Sequence, residues 1–582
     1  MERKPPTPLR RPHGALGRLT LALALAAALG LAAAQSLAPL LPSDTLVAFG
    51  VQGLKQHEAK LQPIIDEWER LDLTNLLERA GGEGADDELP AELKGLTLFD
   101  VLGDEFWIAA SASSFSPLPA VVLVARVSDR ASALFTKALA DEQADATVES
   151  LTEGNIPFEV YTSDDDDLTL AVARDGDFVA LTTNPDTMRG VLRRYQGAAE
   201  PNFTDSPAYA ATLAGLTPAA VSFLIDLPAA AKVAQPLAGG LGFDKSIERV
   251  AAMLKTVGVV ASVARLTDAG IETLSIQALG DRSLDPGLYD LLTAKGAYPA
   301  GVLGFVPDTA LGVQAGNLDL GAWWRYLNQL VAGLEELGVG DLDTFLAENI
   351  GLDLNQMLFS WMGAGAGTIT MSIPSAAAPG MAQGNVLGDA VYLLAVTDEA
   401  AAQAGLAQFL TMATSMASSF MDPSGGAGFV QPTTRTSAGV NVTSYDLGEG
   451  ITFEIAFSGG YLLLATSSTG MDAALAAGAD GAAGVSGSLA ALQPNVPAAA
   501  VSMALSNDQA SLRALADTLL SQFGMAAGLA GSEDLDFEAV EAAGAALTQF
   551  VNFVADKFGG SYSYQVVDGG VVRGYGLSQV SW

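Results

Sequence analysis

A chain of 582 residues, 49% of them hydrophobic, is too long for a single hydrophobic core and predicts roughly two to four domains. Its 29 Lys and Arg against 66 Asp and Glu give a formal net charge of -37, a field that repels nucleic acid and anionic lipid headgroups. The absence of cysteine removes disulfides, thiolate nucleophiles and thiolate metal sites together.

The first residues read as a targeting segment. Arg3, Lys4, Arg10, Arg11 and Arg18 precede an uncharged Leu/Ala run from Leu19 to Ala34, which ends in Ala32-Ala33-Ala34-Gln35. A basic stretch, an apolar core of this length and a small-residue site predict a signal peptide over 1–34, cut after Ala34. The run is short for a membrane span. The expected location is therefore the periplasm or cell surface, with no transmembrane span once the leader is gone.

After the leader the chain reads as one pattern stated twice. Leu41-Pro42-Ser43-Asp44-Thr45 leads into an apolar strand, as Pro307-Asp308-Thr309 does later. Leu54, Leu61, Ile64, Ile65, Trp68 and Leu71 fall at helical spacing, and Trp323, Trp324, Leu327, Leu330, Val331 and Leu334 repeat the arrangement. Strand-like segments at 98–110 and 120–131 have counterparts at 358–371 and 390–400. Asp129 and Asp398 stand at helix N-cap positions.

The clearest local signal is the alternating stretch Leu168 to Thr183, which turns at Asp175-Gly176 and returns as Ile451 to Thr466 around Gly459. Both predict β-hairpins, with Phe178 matching Tyr461. Further hairpins are predicted at Val257 to Ala278 and at Gly560 to Leu577, each turning at an Asp-x-Gly. The expectation is an α+β fold of two tandem modules, 35–280 and 297–582, joined by a linker at 281–296. Each would be an antiparallel sheet with helices packed on one face. Ala/Gly/Ser/Pro-rich segments at 372–389, 421–439 and 478–488 read as loops.

These residues carry a resemblance. The leader, Leu-Pro-Ser-Asp-Thr at 41–45, Leu-Gly-Asp-Glu at 102–105, and the strands Phe-Val-Ala-Leu-Thr-Thr at 178–183 and Tyr-Leu-Leu-Leu-Ala-Thr at 461–466 look like the bacterial exported proteins of domain-of-unknown-function family 3352. The resemblance implies an exported compartment and brings no reaction. The second half departs from it at Gly363-Ala364-Gly365, which lacks the acidic pair.

Catalytic equipment is scarce. His13 leaves with the leader, and His57, among Lys55, Glu58 and Lys60, reads as a solvated helix-start histidine. Gly-x-Ser-x-Gly, P-loop and dinucleotide fingerprints are absent, and Gly363-x-Gly365-x-Gly367 reads as a turn before a strand. Acidic clusters at Asp86-Asp87-Glu88, Asp164 to Asp167, and Glu533, Asp534, Asp536 and Glu538 lack the spaced loop of a calcium site and read as solvated turns or helix starts. Trp68, Trp107, Trp323, Trp324 and Trp361 fall on apolar faces, where packing is the default.

No catalytic, cofactor-binding or metal-ligating residue is therefore assigned, and no cofactor. The functional expectation is a non-catalytic exported envelope protein of structural or binding type, with other envelope proteins as partners and no nucleic acid. Two alternatives stand beside it, a module binding a small apolar ligand or a peptide, and a carboxylate-dependent hydrolase.

Overall fold

A computed structural model of the chain describes residues 36–73, 75–76, 104–112, 119–128, 147–162, 169–238, 244–332, 341–372, 388–420, 432–446, 452–479, 484–529 and 537–582. The expected leader, Asp129 and the acidic clusters at 86–88 and 164–167 lie outside them. The 533–538 cluster lies outside the described residues and side chains.

The first ten strands are β1 (Thr45–Gln52), β2 (Glu105–Ser111), β3 (Ala120–Arg126), β4 (Thr147–Glu153), β5 (Ile156–Thr162), β6 (Thr169–Asp175), β7 (Phe178–Thr182), β8 (Val221–Asp226), β9 (Val259–Thr267) and β10 (Gly270–Ala278). The remainder are β11 (Gly312–Gly316), β12 (Met362–Thr370), β13 (Ala390–Val396), β14 (Thr433–Ser437), β15 (Val440–Asp446), β16 (Thr452–Ser458), β17 (Tyr461–Ala465), β18 (Ser502–Asn507), β19 (Phe558–Asp568) and β20 (Val571–Val580). The predicted hairpins form: β6 turns into β7 between Asp175 and Phe178, and β16 into β17 between Ser458 and Tyr461.

The expected pair of separate sheets does not form. All twenty strands belong to one antiparallel sheet, mixed with helices. From edge to edge it runs β4-β5-β6-β7-β3-β2-β1-β8-β9-β10-β20-β19-β18-β11-β12-β13-β17-β16-β15-β14. The physical reason lies at the centre. β10 and β20 each need a second neighbour for their outward N–H and C=O groups. They find it in each other, in register from Gly270↔Gln579 to Ala278↔Val571. Alternation along a strand fixes its two faces but not which strand will lie beside it. Outward from this seam the strands follow the same order of connections on the two sides.

Helices cover both faces of the sheet, correcting the one-face expectation. On the first face, α2 (Pro185–Tyr195) drives Met188, Val191 and Leu192 into a core with Trp107, Val124, Phe158 and Phe178; α1 (Glu58–Arg70) instead packs Leu61 and Ile65 on the second face with Val51, Phe106 and Ala125. The 3.6-residue repeat sets each buried stripe. Asn184 starts α2 by accepting from the Asp186 and Thr187 amides, while Arg193 and Arg194 sit in its last turn, where the helix dipole favours cations. In the other half, α8 (Ser468–Ala479) covers the first face through Met471, Ala474 and Leu475, and α7 (Glu399–Phe420), capped by Asp398, covers the second through Leu406 and Leu410.

The region expected as a linker carries a helix, α5 (Pro286–Leu292), whose N-cap Asp285 is buried. Tyr326 of α6 (Leu320–Ala332) donates its hydroxyl to that carboxylate at 2.8 Å. Trp68 of α1 meets Phe550 of α10 (Phe537–Ala555) edge-on at 5.1 Å. Side chains therefore bind the two halves as well as the strand seam does.

Gly50 shows how closely the first face is filled. A Cβ there would lie 2.4 Å from the Trp107 ring, itself 1% exposed. Gly50→Ala is expected to cost about 1 to 3 kcal/mol of overpacking, read as a lower urea midpoint at unchanged slope.

Candidate binding trough

The sequence-derived candidates do not converge. His57 ends a short 3₁₀ turn before α1; its Nδ1 is buried without a hydrogen-bond partner, and burial, followed by the charge of Lys60, holds its pKa below the ordinary value. Gly363, Gly365 and Gly367 lie inside β12 rather than in a turn, across an irregularity in its pairing with β13. A Cβ on Gly367 would stand 2.5 Å from Val302, so close packing explains that glycine. Trp107 and Trp361 are core residues, and Trp324 stacks on Phe359 at 5.4 Å while donating to Asp343 at 2.8 Å. Among the described residues, no group of three or more His, Asp or Glu is placed to hold a metal ion.

What the fold does assemble is a trough of about 570 Å³ across the middle of the sheet, on the second face. Its construction follows from strand alternation and register. One row of facing residues runs Ser262, Ser275, Gly574, Gln565, Ser502, Gly316, Ala366 across β9, β10, β20, β19, β18, β11 and β12. Two positions along, a second row runs Thr273, Gly576, Ser563, Ala504, Gln314, Thr368. Leu318 also lines it.

The reverse face of the same strands carries the bulk: Leu274, Tyr562, Tyr564, Tyr575 and Met503. Tyr564 and Tyr575 approach at 5.4 Å, and burial, reinforced by the Tyr562 hydroxyl, pushes the Tyr575 phenol above its usual range. Volume crowded onto one face and withheld from the other leaves the concavity. Its floor depends on two glycines. A Cβ on Gly574 would fall 2.3 Å from Ser275 Oγ, and one on Gly576 2.5 Å from Thr273 Oγ1. Only glycine lets those hydroxyl side chains lie flat there.

The lining residues carry hydroxyls and amides, with glycines, alanines and the larger Leu274, Leu318, Met503, Tyr564 and Tyr575 beside them, and none is charged. Ser502 Oγ donates to Gln565 Oε1 at 3.1 Å. Sequence reading passed over this site because it contains no reactive group. The available signal was the alternation Ser561-Tyr562-Ser563-Tyr564-Gln565 followed by Gly574-Tyr575-Gly576, large and small in strict turn.

Fold and site together define a mixed helix-and-sheet protein built on one wide antiparallel sheet with an uncharged central trough. The chain belongs to the family described as "Protein of unknown function (DUF3352)", whose model matches residues 100–422. A search of curated proteins finds no match. Among solved structures, the chain is similar to crystal form III of TP0453, at 12% identity over 46% of this chain and 88% of that one, with a TM-score of 0.22. Crystal form I of TP0453 matches at 12% identity over 43% of this chain and 80% of that one, also with a TM-score of 0.22. Among the described residues, no helix is long and apolar enough to cross a membrane.

Proposed function

We propose that the protein is a non-catalytic exported envelope protein of binding type, and that it works through the trough. The observation that carries this reading is the placement of two rows of small hydroxyl, amide and glycine residues on one face of seven adjoining strands. Those strands are held from behind by packed aromatic side chains and are flanked by two hydrophobic cores, so the surface is preorganised rather than assembled on contact. The leader-like sequence at 1–34 supports export to the periplasm or cell surface. No carboxylate lines the trough, so nothing in it favours the hydrolase alternative.

The test fills the trough. Ser563 and Thr273 are exposed strand residues facing it, and tryptophan suits a strand position. Native mass spectrometry of the protein incubated with a small-molecule extract should show adducts on the wild type that fall at least tenfold in the Ser563→Trp, Thr273→Trp double variant. Equal adducts on both proteins, or none on either, would count against the reading.

A further inference from the structure

We infer that the trough takes an elongated, uncharged, hydroxyl-rich chain, a short neutral oligosaccharide. This rests on the trough being the working site. Its dimensions give the first argument. Seven strands spaced about 4.8 Å apart make it roughly 30 Å long, while two alternate side-chain rows make it only about 7 Å wide. The occupant is therefore a chain lying across the strands.

Electrostatics gives the second. The protein carries a net charge of -37, yet no charged side chain lines this surface. An anion would enter against the overall field, and a bound ion of either sign would lose hydration without gaining a counter-charge. A purely apolar occupant would strip water from the hydroxyls and amides and return no hydrogen bond, so an occupant with hydroxyls of its own beside C–H faces suits the mixed lining better.

The third argument is unspent hydrogen-bonding capacity. Among the described residues, the side chains of Ser262, Thr273, Ser275, Gln314, Thr368 and Ser563 have no hydrogen-bond partner in the protein, and all line the trough. Hydroxyls both donate and accept, and a primary amide presents one of each. A polyol offers the same mixed character along its whole length. A peptide would pair its backbone with a free strand edge, whereas these strands already pair on both sides and offer only their faces.

The experiment uses the full chain against linear neutral hexamers of glucose, mannose and N-acetylglucosamine, with hexagalacturonate and a neutral Gly/Ser/Gln octapeptide as comparators, all by isothermal titration calorimetry. At least one neutral hexamer should bind saturably, its trimer at least tenfold more weakly, and hexagalacturonate not at all. The Ser563→Trp, Thr273→Trp variant, checked for an unchanged urea midpoint, should weaken the hexamer at least tenfold. If the octapeptide or hexagalacturonate binds in a variant-sensitive way and no neutral sugar does, the sugar assignment falls while the trough remains the working site. If no probe binds the wild type, the sugar assignment falls, and the native mass spectrometry comparison then decides the trough separately.

Discussion

Replacing Arg435 with alanine is expected to destabilise the protein by about 3 to 5 kcal/mol, because it strands a charged glutamate inside the fold. Glu454 is 0% exposed and holds the Arg435 guanidinium through both carboxylate oxygens, at 3.0 Å from Nε and 2.6 Å from Nη2. Ser468 donates to the same carboxylate at 2.7 Å, and Asp472 accepts from Nη1. The hydrogen bonds to Glu454, ahead of every other influence, push the Arg435 pKa upward. Lysine cannot reproduce the fork, so Arg435→Lys should recover only part of the loss. Arg435→Met combined with Glu454→Leu should recover most of it, since an apolar pair leaves no orphaned charge. Urea titration followed by circular dichroism measures all three. A loss below about 1 kcal/mol for Arg435→Ala would show that water reaches Glu454.

The second large effect belongs to Glu105, 1% exposed at the start of β2. Its Oε1 accepts from the Leu37 amide at 2.6 Å, the Trp107 indole at 2.8 Å and the Gln52 side-chain amide at 3.2 Å, while Oε2 is buried without a partner. Glu105→Ala orphans two buried donors and is expected to cost about 2 to 5 kcal/mol. Burial, opposed by these hydrogen bonds, raises the Glu105 pKa above its ordinary value of 4.5. The sign follows from proton counting. Between the unfolded pKa and the raised folded one, the folded state keeps a proton that the unfolded state releases. Stability from this residue is therefore full below the unfolded pKa and is lost as pH rises through the folded pKa. Glu105→Gln keeps an acceptor oxygen for the same donors and removes the charge. It should flatten this part of the pH profile and match or exceed the wild type at pH 7; an unchanged pH slope in the variant would contradict the assignment.

Local structure was readable from the residues wherever period and turn chemistry agreed. Asp175-Gly176 and Ser458-Gly459 placed hairpins to the residue, Asp398 capped its helix, and the tryptophans packed. Other elements left weak signals. Thr433–Ser437 is strand β14, although its surroundings of Ala, Gly and Pro read as a loop, because pairing with β15 overrides local propensity. The helix Asp244–Val257 was passed over although Ile247, Val250, Ala251 and Leu254 recur at helical spacing among Lys245, Glu248, Arg249 and Lys255, whereas the helix expected after the 533–538 acids forms as Phe537–Ala555. The largest miss was global. Nothing in β10 or β20 taken alone says that each is the other's neighbour, and the trough exists only because of that pairing. Its residues come from strands as distant in sequence as β9 and β20, so no local window could contain it.

The seam also sets an order of assembly. β20 ends two residues before Trp582, whose indole donates to the Thr267 carbonyl at 2.8 Å beneath the Lys60 ammonium. The strand that completes the middle of the sheet is thus synthesised after the other nineteen described strands. Until it arrives, β10 is a raw edge of nine residues whose unpaired backbone could recruit another unfinished copy. A nascent molecule of this design gains from a chaperone that covers β10 until β20 is in place.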